Sequence, residues 1–209
     1  MIKAVLFDMD GTLCDSERYY TEGTYTWLSR FVKVNKSDIY HIVGLSMDGT
    51  YNYLASISGL DIDFIKQANE HYFNVENVIN YNDYLFNDVK DVLFTLKKND
   101  YRLALCTVSD KYLLDKFIKD CGLEDVFDVL LSNDDISMPK PDPEIYLDAL
   151  KKLNVKNNEA IIVEDSYNGI LSGKRANCLT YARNSRQYGI DQSKADFIFS
   201  DLREILDRL

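Results

Sequence analysis

Short, uninterrupted apolar runs recur along the chain. They are Ala4-Val5-Leu6-Phe7, Leu103-Ala104-Leu105-Cys106, Val129-Leu130-Leu131 and Ala160-Ile161-Ile162-Val163, with weaker ones at Cys178-Leu179-Thr180-Tyr181 and Phe197-Ile198-Phe199. A strand with one face in water alternates apolar and polar side chains, whereas a run apolar throughout fits a strand buried on both faces, as in a parallel sheet covered by helices. Helical patterns lie between these runs. Val89, Val92, Leu93 and Leu96 make one apolar stripe, and Leu114, Phe117, Ile118 and Cys121 make another that Gly122 can terminate. Asp142 reads as an N-cap with Pro143 at the first helical position, turning Tyr146, Ala149, Leu150 and Leu153 inward. Strand and helix in alternation imply right-handed crossovers and a doubly wound, parallel α/β sheet.

One stretch breaks the alternation. Residues 16–81 carry helical patterns and no convincing strand, with Tyr20, Trp27, Leu28 and Phe31 suggesting one amphipathic helix and Phe64, Ala68, His71 and Tyr72 another. The expected organisation is a core domain of residues 1–15 and 82–209 with a small α-helical domain, 16–81, inserted after the first strand, and hinges near Ser16 and Tyr81–Asp83. A chain of 209 residues with 46% hydrophobic and 28% charged residues can bury such a core, so disordered and fibrous readings fail. The net charge of −10 argues against a nucleic-acid surface. A basic leader and a long apolar segment are both missing, which predicts a soluble cytoplasmic protein with no membrane partner. Cys14, Cys106, Cys121 and Cys178 lack metal-ligand or disulfide spacing and read as small buried residues; His41 and His71 read as packing or surface groups. A monomer is the default expectation.

Ligands of open α/β sheets bind beyond the carboxyl ends of the strands, so polar residues there carry the most information. The first strand ends in Asp8-Met9-Asp10-Gly11-Thr12-Leu13 and the second in Thr107-Val108-Ser109; Lys140 lies in Met138-Pro139-Lys140-Pro141-Asp142-Pro143, and a later strand ends in Glu164-Asp165-Ser166. Alone, the acids could cap turns, and Thr107 and Ser109 could cap a helix. Together they form one site. Four neighbouring carboxylates repel and raise one another's pKa, a conflict that a divalent cation resolves, and hard oxygen ligands favour Mg²⁺ shared with a substrate phosphate. Gly11 would let the backbone approach closely or take a positive φ as it leaves the strand.

The ordered set Asp8-x-Asp10-Gly11-Thr12-Leu13, Thr107, Lys140-Pro141 and Glu164-Asp165 resembles the four motifs of the haloacid dehalogenase superfamily. Gly169 and Ile170 extend the likeness to its β-phosphoglucomutase-like branch, and the helical insertion sits where that branch carries a cap domain. The resemblance implies Asp8 as nucleophile and Asp10 as general acid, then base. It implies Thr107, with Ser109 and Gly11 nearby, as a phosphoryl-binding hydroxyl, and Lys140 as the group offsetting charge on Asp8 and the transferring phosphoryl group. Mg²⁺ would be held by Asp8, the backbone carbonyl of Asp10 and Asp165, with Glu164 bound directly or through water. The implied reaction is Mg²⁺-dependent hydrolysis of a small phosphorylated metabolite, a phosphomonoester, through an aspartyl-phosphate.

Asp10 argues for phosphoryl transfer over dehalogenation, because a halide leaves without an acid. A β-phosphoglucomutase-type mutase is the alternative. The cap loop that would hold its second phosphate reads Val43-Gly44-Leu45-Ser46-Met47, with apolar residues at both basic positions and Tyr20 in place of the expected histidine. Val43, Met47, Tyr19 and Tyr20 suggest a leaving group with an uncharged face. A receiver-type phospho-acceptor domain, the remote alternative, would lack the insertion, and a non-catalytic binding protein on this fold would be expected to lose Asp8 or Asp10.

Overall fold

A computed structural model describes residues 1–209, the side chain of Arg186 excepted. Strand β1 (Ala4–Phe7) leads into four helices, α1 (Ser16–Leu28), α2 (Lys36–Ile39), α3 (Met47–Ser58) and α4 (Ile62–His71). Alternation then resumes with α5 (Val89–Lys98), β2 (Arg102–Cys106), α6 (Lys111–Cys121), β3 (Val129–Leu131), α7 (Glu144–Leu153), β4 (Ala160–Glu164), α8 (Tyr167–Arg175), β5 (Leu179–Arg183) and β6 (Phe197–Phe199). Among the described residues no helix is long and apolar enough to cross a membrane. The chain divides into two compact units, Met1–Asp15 with Tyr81–Leu209, and Ser16–Asn80.

The first unit is built on a six-stranded parallel sheet in the order β3-β2-β1-β4-β5-β6. This is the doubly wound arrangement, with its topological switch between β1 and β4. Both strands are buried along their whole length, which explains their unbroken apolar runs. Leu6, Ala104, Cys106 and Ile162 pack with Ile145, Tyr146, Ala149, Leu150 and Leu153 of α7 in one core. Asp110, rather than Thr107 or Ser109, caps α6, its side chain accepting from the Leu113 amide, and Gly122 closes that helix with φ +64°. The α7 cap falls one residue later than the sequence suggests, at Pro143, yet the Asp142 carboxylate still accepts from the Glu144 amide at 3.0 Å. All four cysteines are buried and free of disulfides.

The second unit closes around Trp27, Leu28, Ile39, Ile42, Tyr51, Leu54, Ile65 and Tyr72. Of the residues expected on its inward faces, Trp27, Leu28 and Tyr72 are buried, and others differ. Tyr20, Phe31 and Phe64 are exposed and His71 lies at the surface beside Glu76, while Tyr19, Ile65 and Asn69 turn inward. The Tyr19 hydroxyl donates to the Asn77 carbonyl at 2.5 Å, so Tyr19 takes part in the packing of this unit. His41 is exposed and lies against the Tyr53 ring.

Candidate active site

The register of the sheet assembles the acids. Phe7 stands opposite Val163, so the residues that follow them, Asp8 and Glu164, emerge side by side at the switch point, and Asp165 comes one residue later. Lys140 reaches them from the segment ahead of α7. Its ammonium donates to Asp8 Oδ1 at 2.5 Å, to Glu164 Oε1 at 2.7 Å and to the Cys106 carbonyl at 2.9 Å, so its three donors each meet an oxygen. Asp8, Lys140, Glu164 and Asp165 are all buried as side chains or residues.

Four more predicted residues, Asp10, Ser109, Thr107 and Gly11, lie around them. Ser109 Oγ donates to Asp10 Oδ2 at 2.7 Å, and the Cys14 thiol lies 3.9 Å from Asp10 Oδ1. Thr107 is fully buried at the end of β2, and its Oγ1 accepts from the Ser109 amide at 3.0 Å. Gly11 takes φ +76°, and a Cβ there would stand 2.2 Å from Asp165 Oδ2. Both expectations for this glycine, a positive φ and a close approach, therefore hold.

Burial pushes the Asp8 carboxyl up to about 8; Glu164 and Asp10 add to the rise and Lys140 opposes it. Burial would lower Lys140, but Asp8 and Glu164 outweigh it and hold the ammonium above the ordinary lysine range. Glu164 moves the other way. Its burial is outweighed by Lys140 and by hydrogen bonds from Tyr146 and the Asp165 amide, and its pKa falls. One ammonium cannot neutralise this many buried carboxylates. Oxygen atoms of Asp8, Glu164 and Asp165 lie within 4.8 Å of one another, a hard-oxygen set that fits a divalent cation such as Mg²⁺.

Several supporting residues give no sequence signal. The Tyr146 hydroxyl donates to Glu164 Oε1 at 2.7 Å while Lys140 Nζ sits 5.0 Å from its ring centroid; by spacing alone it is one more core residue of α7. Arg183 donates from Nε to the Thr12 carbonyl at 2.8 Å and pairs bidentately with buried Asp88 at 2.9 and 3.1 Å. Ser185 and Gln192, beyond β5, reach back to Asp165.

A family model described as haloacid dehalogenase-like hydrolase matches residues 5–182. Pyrophosphatase PpaX of Bacillus pumilus is 31% identical over 186 residues, covering 86% of this chain and 82% of the relative. The validoxylamine A 7'-phosphate phosphatase of Streptomyces hygroscopicus subsp. limoneus is 28% identical over 207 residues, covering 98% and 96%. Among solved structures, a Thermotoga maritima protein provisionally assigned as a β-phosphoglucomutase superposes with a TM-score of 0.81 at 25% identity, covering 99% of this chain and 98% of that one.

Proposed function

This chain belongs to the haloacid dehalogenase-like hydrolase family, and on that premise we propose that it is a Mg²⁺-dependent phosphatase acting on a small phosphomonoester through an aspartyl-phosphate at Asp8. The observation that carries the reading is the convergence of Asp8, Lys140, Glu164 and Asp165, with Asp8 Oδ1 2.5 Å from Lys140 Nζ and the three carboxylates within 4.8 Å of one another. Asp8, Asp165 and the Asp10 carbonyl would hold Mg²⁺, with Glu164 bearing on it directly or through water. When bound, the ion supplies positive charge against the phosphoryl oxygens.

The residues of the chain divide the remaining work. An Asp8 oxygen attacks phosphorus in line; the new P–O bond forms as the ester P–O bond breaks. Asp10 gives its proton to the departing oxygen. As carboxylate it then takes a proton from the water that attacks the phosphoenzyme, releasing inorganic phosphate and restoring Asp8. The Ser109 hydroxyl, 2.7 Å from Asp10 Oδ2, keeps that carboxylate oriented. The Thr107 hydroxyl, oriented by the Ser109 amide, would donate to a phosphoryl oxygen. Lys140 offsets charge on Asp8 as it builds up on the transferring group. Residues 16–80 would act as a cap that excludes water during the first step.

The named activities of the relatives put pyrophosphate and validoxylamine A 7'-phosphate on the substrate panel. The likeness to a provisional β-phosphoglucomutase keeps a phosphosugar mutase as the second reading, tested by isomerisation of α- and β-glucose 1-phosphate against phosphate release. The main test is a panel of phosphorylated metabolites with Mg²⁺, run on wild type and Asp8→Asn. The variant should fold, lose turnover and form no acyl-phosphate. Wild-type activity in Asp8→Asn would overturn the assignment.

A further inference from the structure

Asp165 is gripped by a segment far away in sequence. Gln192, buried in the loop between β5 and β6, donates from Nε2 to the Asp165 carbonyl and to the Arg183 carbonyl, both at 2.6 Å. Its Oε1 accepts from the Ser185 amide at 3.1 Å, so the whole side-chain amide is spent on joining the ends of β4 and β5. Ser185 Oγ in turn lies 3.3 Å from Asp165 Oδ2, and Thr12 Oγ1 lies 3.4 Å from Asp165 Oδ1. Arg183 closes the circuit by donating to the Thr12 carbonyl at 2.8 Å. The Asp165 side chain is thus met from both sides by hydroxyls, and its backbone is anchored by an amide.

We infer that Ser185 and Gln192 are positioning residues for cation binding: they hold Asp165 in the orientation a divalent cation needs, and so set cation affinity without touching the phosphoryl group. The inference rests on the metal reading proposed above. A carboxylate ligand that can rotate loses affinity, because ordering it then costs conformational freedom at each binding event. Outer partners of metal ligands typically govern affinity by about 10–100-fold. Ser185 suits a conservative rescue. It lines a cavity of about 170 Å³ with Gly11, Phe86, Asn184 and Tyr188, and threonine keeps its hydroxyl.

The test measures Mn²⁺ and Mg²⁺ binding directly, by electron paramagnetic resonance and titration calorimetry on the full chain, alongside steady-state kinetics at varied Mg²⁺. Ser185→Ala and Gln192→Ala should weaken cation binding by about 10-fold or more. The KM for a phosphomonoester at saturating Mg²⁺ should stay within about twofold, and Ser185→Thr should restore affinity. If Gln192→Ala does not fold, Ser185→Ala and its threonine rescue carry the test. Asp165→Asn serves as the reference and should abolish binding. Intact binding in Asp165→Asn would overturn the metal reading itself. Lost binding there, with wild-type affinity in Ser185→Ala and in Gln192→Ala where it folds, would overturn this inference alone.

Discussion

Gly169 stands in the first turn of α8, where alanine would ordinarily improve a helix by up to about 1 kcal/mol. Here a Cβ would stand 1.8 Å from Glu164 Oε1 and 2.1 Å from Oε2. The Glu164 carboxylate cannot yield cheaply, because it accepts from Lys140, Tyr146 and the Asp165 amide and is fully buried. Displacing a paired buried charge belongs to the costly class of substitutions, so Gly169→Ala should destabilise by about 2–4 kcal/mol, a fall in Tm of about 5–15 °C. Thermal unfolding read by circular dichroism checks it, and an unchanged or higher Tm would contradict the packing. Chemistry at single positions was only partly readable from the chain. Asp8 and Glu164-Asp165 announce themselves because they follow apolar runs directly, with Asp10 two residues beyond Asp8, whereas Lys140 is legible only from its place in the ordered set. Tyr146, Ser185 and Gln192 give no such signal, since a tyrosine on an inward stripe looks like core and a loop glutamine has no period. Tyr146 acquires its meaning when α7 packs against β4, and Ser185 and Gln192 acquire theirs when β5 lies beside β4.

Elements are most legible in the sequence where burial is uniform. The β1 and β4 runs are apolar throughout because helices cover both faces of the sheet, and that pattern has no competing explanation at their length. The helices of residues 16–80 were harder. There, large apolar side chains such as Phe31 and Phe64 stay exposed, while Thr21 is buried with its hydroxyl donating to the Glu17 carbonyl at 2.7 Å. A threonine satisfied by its own helix can point inward, which blurs the stripe from which a face is inferred. The joints between elements carry their own energetics. Asp88, just ahead of α5, accepts from both Arg183 terminal nitrogens and from the Leu202 amide at 2.6 Å, while the Arg183 guanidinium lies 4.1 Å from the Phe86 ring centroid. One carboxylate therefore ties α5, the end of β5 and the C-terminal segment together. Breaking a buried pair strands the partner charge, at a cost of about 3–5 kcal/mol. Asp88→Ala should lower unfolding stability by that amount in urea titrations. A loss under about 1 kcal/mol would show that Arg183 finds compensation elsewhere.

For the protein as a whole, the difficulty is to accept a phosphate dianion on a chain whose net charge is −10. The switch point concentrates the problem, because a single ammonium, bonded to Asp8 and Glu164, serves a cluster that also contains Asp165. Without a cation, part of the relief comes from protons. Burial, reinforced by Glu164 and Asp10 against the pull of Lys140, raises the Asp8 carboxyl from 3.8 to about 8. A carboxyl whose pKa is raised by folding favours the folded state most at low pH, and that contribution disappears as pH climbs through about 8. A divalent cation prefers the carboxylate, so its binding must expel the Asp8 proton wherever the cation-free protein still holds it. Mg²⁺ affinity should therefore rise about 10-fold per pH unit below 8 and level off above it. Proton release should approach one per ion near pH 6 and fall toward zero near pH 9. Calorimetry in two buffers of different ionisation enthalpy counts those protons directly, and the thermal stabilisation by Mg²⁺ should grow over the same interval. Affinity that stays flat from pH 6 to 9 would mean that Asp8 is already ionised before the cation arrives, and that Lys140 alone bears the charge of the site.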